Sequence, residues 1–183
     1  WEEQLNNYSG DDPLAVWDDY IRWAQQNATS DKLMAHIVPL LQRCTRQFQN
    51  DSNYKEDPRY LRIWIKYIDT VKDPSDVFAF LEANGIGTNL ALFYTSWALA
   101  MELKKGMYAE AYAKIEEGIN KKAEPEEKLR LALKQFQHRM NQRTVDAITK
   151  NQTADPAPVG REFGDQLSKG RKVVRQAAPT GAT

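Results

Sequence analysis

The sequence lacks the residues on which most metal and redox sites depend. Cys44 is the only cysteine among 183 residues, so the chain cannot form an internal disulfide, and this is typical of a reducing compartment. The two histidines, His36 and His138, lie too far apart in sequence to show the spacing of a metal site. We therefore predict no metal site, no cofactor and no catalytic residue.

Long apolar runs and an excess of one charge are also missing. Lys and Arg number 25 and Asp and Glu number 25, whereas a general nucleic-acid binder carries a clear basic excess. No apolar run approaches the ~18 residues of a membrane span. Gly85-Ile86-Gly87 starts like a dinucleotide fingerprint, but position 90 is Leu. We therefore expect no membrane, no direct nucleic-acid contact and no small-molecule substrate.

What remains is a helical pattern. Hydrophobic residues make up 42% of the chain, enough for a packed core. Their spacing of three and four residues predicts an all-α domain with short connections between helices. The predicted helices cover 1–8, 13–27, 31–50, 58–71, 74–84, 88–104, 107–121 and 125–149.

An acidic residue followed by proline marks four of these starts. The acid accepts hydrogen bonds from free amide groups, and proline at the first helical position loses no hydrogen bond. The pairs are Asp12-Pro13, Asp57-Pro58, Asp73-Pro74 and, in weaker form, Glu124-Pro125. This acid–proline pattern predicts where these four helices begin.

Aromatic pairs recur along the chain. Trp17-x-x-Tyr20 returns as Trp64-x-x-Tyr67 after 47 residues, and Tyr94-x-x-Trp97 inverts the order. Small residues and Pro125 then follow at roughly the offsets of a tetratricopeptide repeat. We predict a short tetratricopeptide-like helical solenoid of about three helix pairs plus a capping helix. A plain helical bundle is the alternative.

The last part of the chain has a different composition. From Lys150 onward six basic residues face three acids, a net charge of +3, whereas residues 1–30 carry −5. Glycine, proline and alanine are frequent after Asn151. We therefore predict a docking domain over 1–150 and a low-complexity basic tail over 151–183 that is disordered or ordered by a partner. Either a linear motif around Phe163 and Leu167 or a solvated linker fits this tail.

Several stretches together resemble one family. They are Tyr8-Ser-Gly-Asp-Asp-Pro-Leu-Ala-Val-Trp-Asp-Asp-Tyr-Ile-Arg-Trp23, Asp57-Pro-Arg-Tyr-Leu-Arg-Ile-Trp64, Asn84-Gly-Ile-Gly-Thr-Asn-Leu-Ala-Leu-Phe-Tyr-Thr-Ser-Trp-Ala98 and Lys122-Ala-Glu-Pro125. This sequence is similar to the N-terminal tetratricopeptide-like domain of the Bub kinases and the Mad/BubR proteins of the spindle assembly checkpoint. Leu167-Ser-Lys-Gly-Arg-Lys172 is a shorter match to the Mad/BubR branch.

The resemblance implies a non-catalytic docking module, with any kinase domain C-terminal to this chain. Its partners would be a kinetochore scaffold protein, the mitotic co-activator of the anaphase-promoting complex and other checkpoint-complex subunits. The full protein would restrain the anaphase-promoting complex. It would lie in the nucleus and at the kinetochore in mitosis, and in the cytoplasm otherwise.

The family's groove for an amphipathic scaffold helix carries over to five positions. The resemblance implies that these partner-binding residues are Tyr67, Thr70, Phe80, Ala100 and Lys104. Ala100 and Lys104 match an acid–arginine pair, so the uncharged Ala100 departs from that pattern, and Thr70 is less apolar than its counterpart. Aromatic positions of this kind fit a groove that accepts an apolar helix face.

The residues themselves make two further predictions. Trp17, Trp64 and Trp97 are expected in the core between helices. Phe78 and Phe80 lie two apart on one helix and cannot both face inward, so one ring should be exposed.

Two other functions stay open on the sequence alone. A half-repeat helical scaffold of RNA processing uses similar Trp-x-x-Tyr helices, although zero net charge argues against it. An enzyme fragment, such as a regulatory lobe of a kinase, is the second.

Overall fold

A computed structural model describes residues 1–27 and 30–153, and the regular structure in this part of the chain is helical. The prediction of an all-α fold is confirmed. The helices are α1 (Glu2–Asn7), α2 (Pro13–Asn27), α3 (Ser30–Phe48), α4 (Pro58–Thr70), α5 (Ser75–Ala83), α6 (Ala91–Ala100), α7 (Tyr108–Asn120) and α8 (Glu126–Thr153).

The acid–proline pairs stand at four helix starts, as predicted. Helices α2 and α4 begin at the proline itself, and α5 and α8 begin one residue after it. At α4, the Asp57 carboxylate accepts a hydrogen bond from the Arg59 amide at 2.7 Å. At α5, Asp73 accepts one from the Ser75 amide at 3.0 Å. Each carboxylate satisfies an amide that has no partner inside its own helix.

The predicted helix over 88–104 differs from the structure at its start and in the type of its last turn. The chain stays in a turn until Leu90, whose backbone is extended, and α6 begins only at Ala91. Its last turn, Met101–Lys105, widens into a π-helix that ends at Gly106 in the left-handed conformation. A π-turn depends on how the next helix packs, so a periodicity of 3.6 residues does not reveal it.

Contacts between the helices follow a solenoid order. Helix α2 contacts its successor α3 and also α4, and α4 contacts α3 and α6, which in turn packs on α7. Helices adjacent in the chain thus pack together in the pairs α1–α2, α2–α3, α3–α4 and α6–α7, which is the arrangement of stacked helix pairs. The prediction of a short tetratricopeptide-like solenoid is confirmed by this order and by the solved structures described below.

Aromatic rings fill the spaces between the helices. Trp17, Trp64 and Trp97 are all buried, so their predicted place in the core is confirmed. Phe78 of α5 stacks on Trp97 with ring centroids 5.4 Å apart and meets Phe93 edge-on at 6.1 Å. These pairs join α5 to α6 through large apolar surfaces.

Residues Trp1–Phe136 form one compact unit, and the chain from Gln137 onward belongs to a second. The described part of the second unit is the remainder of α8, which continues to Thr153 and so extends past the predicted end at 149. The domain boundary at 150 stays a prediction. The predicted basic tail covers 151–183, and its part from residue 154 onward lies outside the described residues.

Arg59 links the start of α4 to the start of α2. Its guanidinium contacts Asp12 Oδ2 at 2.6 Å and Asp57 Oδ2 at 2.7 Å. The hydrogen bond from Arg59 lowers the pKa of the Asp12 carboxyl below its ordinary value, although partial burial opposes this. The ion pair between Arg59 and Asp12 therefore needs the ionised carboxylate.

We expect Asp12→Asn to destabilise the domain near neutral pH but not in acid. A carboxyl whose pKa is lowered by folding contributes stability above its unfolded pKa of about 3.9, and this is lost as pH falls through the folded pKa. The pair is partly exposed, so the loss at pH 7 should be roughly 0.2–1 kcal/mol. Urea unfolding of parent, Asp12→Asn and the neighbouring control Asp11→Asn at several pH values measures it. If Asp12→Asn still had a lower free energy of unfolding than the parent at pH 2, the Arg59–Asp12 ion pair would not explain the loss of stability.

The described part of the chain lacks two kinds of feature. No helix there is both long and apolar enough to cross a membrane. Nor do its His, Cys, Asp and Glu side chains gather into a group of three that could hold a metal ion.

Candidate functional site

Helix α5 presents one phenylalanine inward and one outward. The Phe78 side chain is 1% exposed, whereas that of Phe80 is 38% exposed. Positions two apart on a helix point in nearly opposite directions, so burying Phe78 between α5 and α6 leaves Phe80 at the surface. The prediction that one of the two rings is exposed is confirmed.

Phe80 borders a groove between α3, α4 and α5. The groove has a volume of about 280 Å³. Trp64 forms part of its wall, and the rings of Tyr67 and Phe80 lie on it at centroid distances of 6.1 and 5.7 Å. Two of the five predicted site residues, Tyr67 and Phe80, are therefore brought together around a buried tryptophan.

Thr70 lies one turn beyond Tyr67 on α4 and is half-buried. Its hydroxyl donates a hydrogen bond to the Tyr67 carbonyl oxygen at 2.6 Å. The hydroxyl is therefore used within its own helix. Thr70 is not one of the residues that line the groove.

The other two predicted residues lie at the end of α6 and in the turn after it. Ala100 is the last residue of α6 and is half-buried, and Lys104 belongs to the π-turn that follows. Ala100 is not among the lining residues of the groove. The side chain of Lys104 falls outside the described part of the chain. A partner that touched all five positions would have to reach from α4 and α5 onto the end of α6, which contacts α4.

Sequence reasoning missed the contribution of α3. Gln42, Arg46 and Gln49 line the groove on one side, and Asp76 lines it at the start of α5. Gln42 and Arg46 lie four apart in α3 and Gln49 directly follows its last residue, so the three side chains lie on one side of this segment. That spacing was visible in the sequence, but only the packing of α3 on α4 shows that this face borders Trp64.

The groove combines aromatic and charged side chains. Trp64, Tyr67 and Phe80 supply its aromatic part, while Arg46 and Asp76 contribute a guanidinium and a carboxylate. Such a surface can take the apolar side of an amphipathic helix, whose charged residues then meet the rim. Aromatic side chains commonly supply most of the binding energy in contacts of this kind.

Cys44 lies behind the groove in α3 and is buried. Burial raises the pKa of its thiol to about 12, and the nearby Asp18 carboxylate acts in the same direction. The thiol therefore stays protonated near neutral pH and is a core residue.

Comparison with known proteins agrees with this architecture. The family model of Mad3/BUB1 homology region 1 matches residues 1–119. The chain is similar to the mitotic checkpoint serine/threonine-protein kinase BUB1 beta of Homo sapiens, with 35% identity over 179 residues. That alignment covers 96% of this chain but spans only 17% of the human protein.

Two solved structures have a similar fold. A chain in the crystal structure of the mitotic checkpoint complex matches with a TM-score of 0.69 and 36% identity, covering 75% of this chain and 71% of that one. The crystal structure of the conserved N-terminal domain of the mitotic checkpoint component BUB1 matches with a TM-score of 0.69 and 26% identity, covering 78% and 75%. The matched region is thus the N-terminal part of these relatives and not a kinase domain.

Proposed function

Because this chain belongs to the Mad3/BUB1 family of mitotic checkpoint proteins, we propose that it is a non-catalytic docking domain of the spindle assembly checkpoint. It holds a kinetochore scaffold protein and checkpoint-complex partners so that the anaphase-promoting complex is restrained. The protein acts in the nucleus and at the kinetochore in mitosis, and is cytoplasmic otherwise.

One observation carries this proposal: an exposed phenylalanine and a half-buried tyrosine lie beside a buried tryptophan in an otherwise polar groove. Phe80 is exposed and Tyr67 is half-buried, and both rings line the groove with Trp64. A partner helix that covered these rings would remove apolar surface from water, which is favourable. We propose that the amphipathic helix of the kinetochore scaffold binds here, with Thr70 and Ala100 extending its apolar footprint.

Charge then sets the register of the bound helix. We propose that Lys104 and Arg46 attract an acidic flank of the partner, and that Asp76 meets a basic residue or the amino end of its helix. Charges at a groove rim affect association rate and orientation more than affinity. The loss of the acidic position at Ala100 means that the partner needs no basic residue there.

The mitotic co-activator of the anaphase-promoting complex and the other checkpoint-complex subunits are the second class of partner. The similarity to a chain of the mitotic checkpoint complex supports this assignment. The half-repeat scaffold of RNA processing is set aside, because the family model covers residues 1–119.

Capture from mitotic extract tests the proposed function. The bait is the full chain, and the matched baits are Phe80→Ala, the control Leu131→Ala, which removes an exposed leucine from α8, and a truncation that lacks residues 151–183. We expect the parent and Leu131→Ala to retain the kinetochore scaffold and the co-activator, and Phe80→Ala to lose the scaffold alone. Absence of both proteins from the parent bait would contradict the proposed function, and their loss on truncation alone would move the site to the tail.

A further inference from the structure

A second pocket lies between α2 and α3, and it shares no lining residue with the groove at Phe80. Its volume is about 380 Å³, within the range of about 300–1,000 Å³ typical of pockets that bind small ligands. Trp23 lines it and is 47% exposed, whereas the lining residues Ala24 and Leu40 are buried. The pocket therefore offers an exposed indole ring next to core side chains.

Two aromatic rings line this pocket. The rings of Tyr20 and Trp23 have centroids 6.3 Å apart. Trp1 stacks on Tyr20 at 5.7 Å and packs against Trp23 at 6.2 Å, so the exposed ring of Trp23 has aromatic neighbours that support it. An indole face attracts a cation placed within about 6 Å of its centroid. The Trp23 ring is therefore suited to a cationic side chain.

Pro39 leaves a backbone carbonyl without its helical donor. It lies inside α3, and because proline has no amide hydrogen, the carbonyl oxygen of Ala35, four residues earlier, receives no hydrogen bond from position 39. Ala35 and Pro39 both line the pocket, and both are exposed. The pocket thus borders a hydrogen-bond acceptor that the N–H groups of a guanidinium can satisfy.

The carboxyl end of α2 adds further acceptors. Asn27 is the last residue of α2 and lines the pocket. The last four carbonyl groups of a helix have no amide donor within it and carry the negative end of the helix dipole, which favours a cation. Among the described residues that line the pocket there is no lysine or arginine, and His36 supplies an imidazole.

The surrounding surface carries an excess of negative charge. Residues 1–27 contain six acids and one base, Arg22, a net side-chain charge of −5. Arg43 and Arg59, from α3 and α4, form ion pairs with Glu2 and Asp12 at 2.7 and 2.6 Å, and adding these two positive charges leaves −3. This surface complements a basic partner, and such complementarity speeds association and suppresses wrong partners.

We propose that this pocket binds an arginine side chain from a basic peptide segment of a partner protein. The guanidinium stacks on the ring of Trp23 and donates to the Ala35 carbonyl oxygen, while the methylene stem packs against Leu40. Arginine fits better than lysine, because its planar head group stacks on an aromatic face and still presents N–H donors at its edge. The site is additional to the docking function proposed for the groove at Phe80.

Titration of the full chain with short blocked peptides tests the class of ligand. The probe is a glycine-flanked arginine–leucine peptide, and its control carries citrulline, which has a similar shape but no charge. The indole N–H signal of Trp23 in proton–nitrogen spectra reports binding and is assigned from its loss in Trp23→Phe. We expect a dissociation constant on the order of 0.1–1 mM for the arginine peptide and at least about fivefold weaker binding of the citrulline peptide. Equal affinities would overturn the proposal.

Replacing Pro39 tests the role of the free carbonyl. Pro39→Ala supplies the missing amide hydrogen and favours the helix, so the fold is kept while an acceptor for the guanidinium is lost. The preference for arginine over citrulline should fall about threefold or more in Pro39→Ala and should disappear in Trp23→Ala. Gln26→Ala, exposed in α2 but outside the lining residues, should bind as the parent does. A parent-like preference in either folded variant, Pro39→Ala or Trp23→Ala, would contradict the site.

The indole signal of Trp64 separates this pocket from the groove. Trp64 lines the groove at Phe80 and not the pocket, so its signal should stay in place during the titration. A shift of the Trp64 signal in place of the Trp23 signal would put the arginine peptide in the groove and overturn the proposal. Loss of the arginine site leaves the docking function at Phe80 untouched, because that function is measured with a different peptide and a different variant.

Discussion

Replacing Trp64 by alanine should lower the free energy of unfolding by roughly 3–5 kcal/mol, the cost of removing a large buried side chain. The ring is 6% exposed. It packs edge-on against Tyr60 and Tyr67 at 6.2 and 6.1 Å and lies 5.7 Å from Phe80. The cavity left behind would open between α3, α4 and α5, so the domain as a whole would lose stability.

Chemical denaturation with circular dichroism measures this change, and Trp23→Ala is the control. Trp23 is exposed and contacts only the rings of Trp1 and Tyr20 among its aromatic neighbours in the described residues. It should cost less than about 1 kcal/mol, as for a surface substitution. Equal effects of the two substitutions would mean that Trp64 is not part of the core and that the repeat register is wrong.

A second large effect is expected at Gly87, in the loop between α5 and α6. Both Gly85 and Gly87 have positive φ, +65° and +69°, a left-handed conformation that glycine adopts without strain. A Cβ at Gly85 would meet no atom within 4 Å, but one at Gly87 would lie 2.8 Å from the Leu61 side chain. The Gly87 amide also donates to the Lys55 carbonyl oxygen at 2.7 Å.

The two glycines therefore form a matched pair for mutation. Gly85→Ala should cost about 1–2 kcal/mol from the left-handed backbone alone. Gly87→Ala carries the same strain and must also displace a buried leucine, so it should cost roughly 2–5 kcal/mol in all. Thermal and urea unfolding compare them. If Gly85→Ala were the more damaging, or if it abolished partner binding without loss of stability, the loop would have a role other than a structural one.

The helices were predictable because their starts are encoded locally. Asp57-Pro58 fixes the first turn of α4 through the cap and the proline ring, whatever the rest of the chain does. The exposure of one phenylalanine in α5 followed from helical geometry alone. The end of α6 was not predictable. The turn over Met101–Lys105 is a π-helix that contacts α7, and hydrophobic spacing in the sequence carries no signal of a π-helix.

The site was only partly predictable, because part of it depends on how the helices pack and not on local sequence signals. Tyr67 and Phe80 came from the family resemblance, and their proximity to Trp64 follows from the packing of α5 on α4. The polar side of the groove comes from α3 and the residue that follows it, through Gln42, Arg46 and Gln49. Surface polar residues carry no local signal of which neighbour they face, so their place in the groove required the tertiary structure.

The most direct test of the docking account is calorimetric titration of the full chain with a synthetic peptide of the kinetochore scaffold's amphipathic helix. Phe80→Ala should weaken binding by roughly 5- to 150-fold, the equivalent of 1–3 kcal/mol for an aromatic anchor. Its helical circular dichroism and that of the control Leu131→Ala should match the parent, and the control should bind as the parent does. Parent-like affinity of a folded Phe80→Ala would contradict the account and place the docking site elsewhere on the domain.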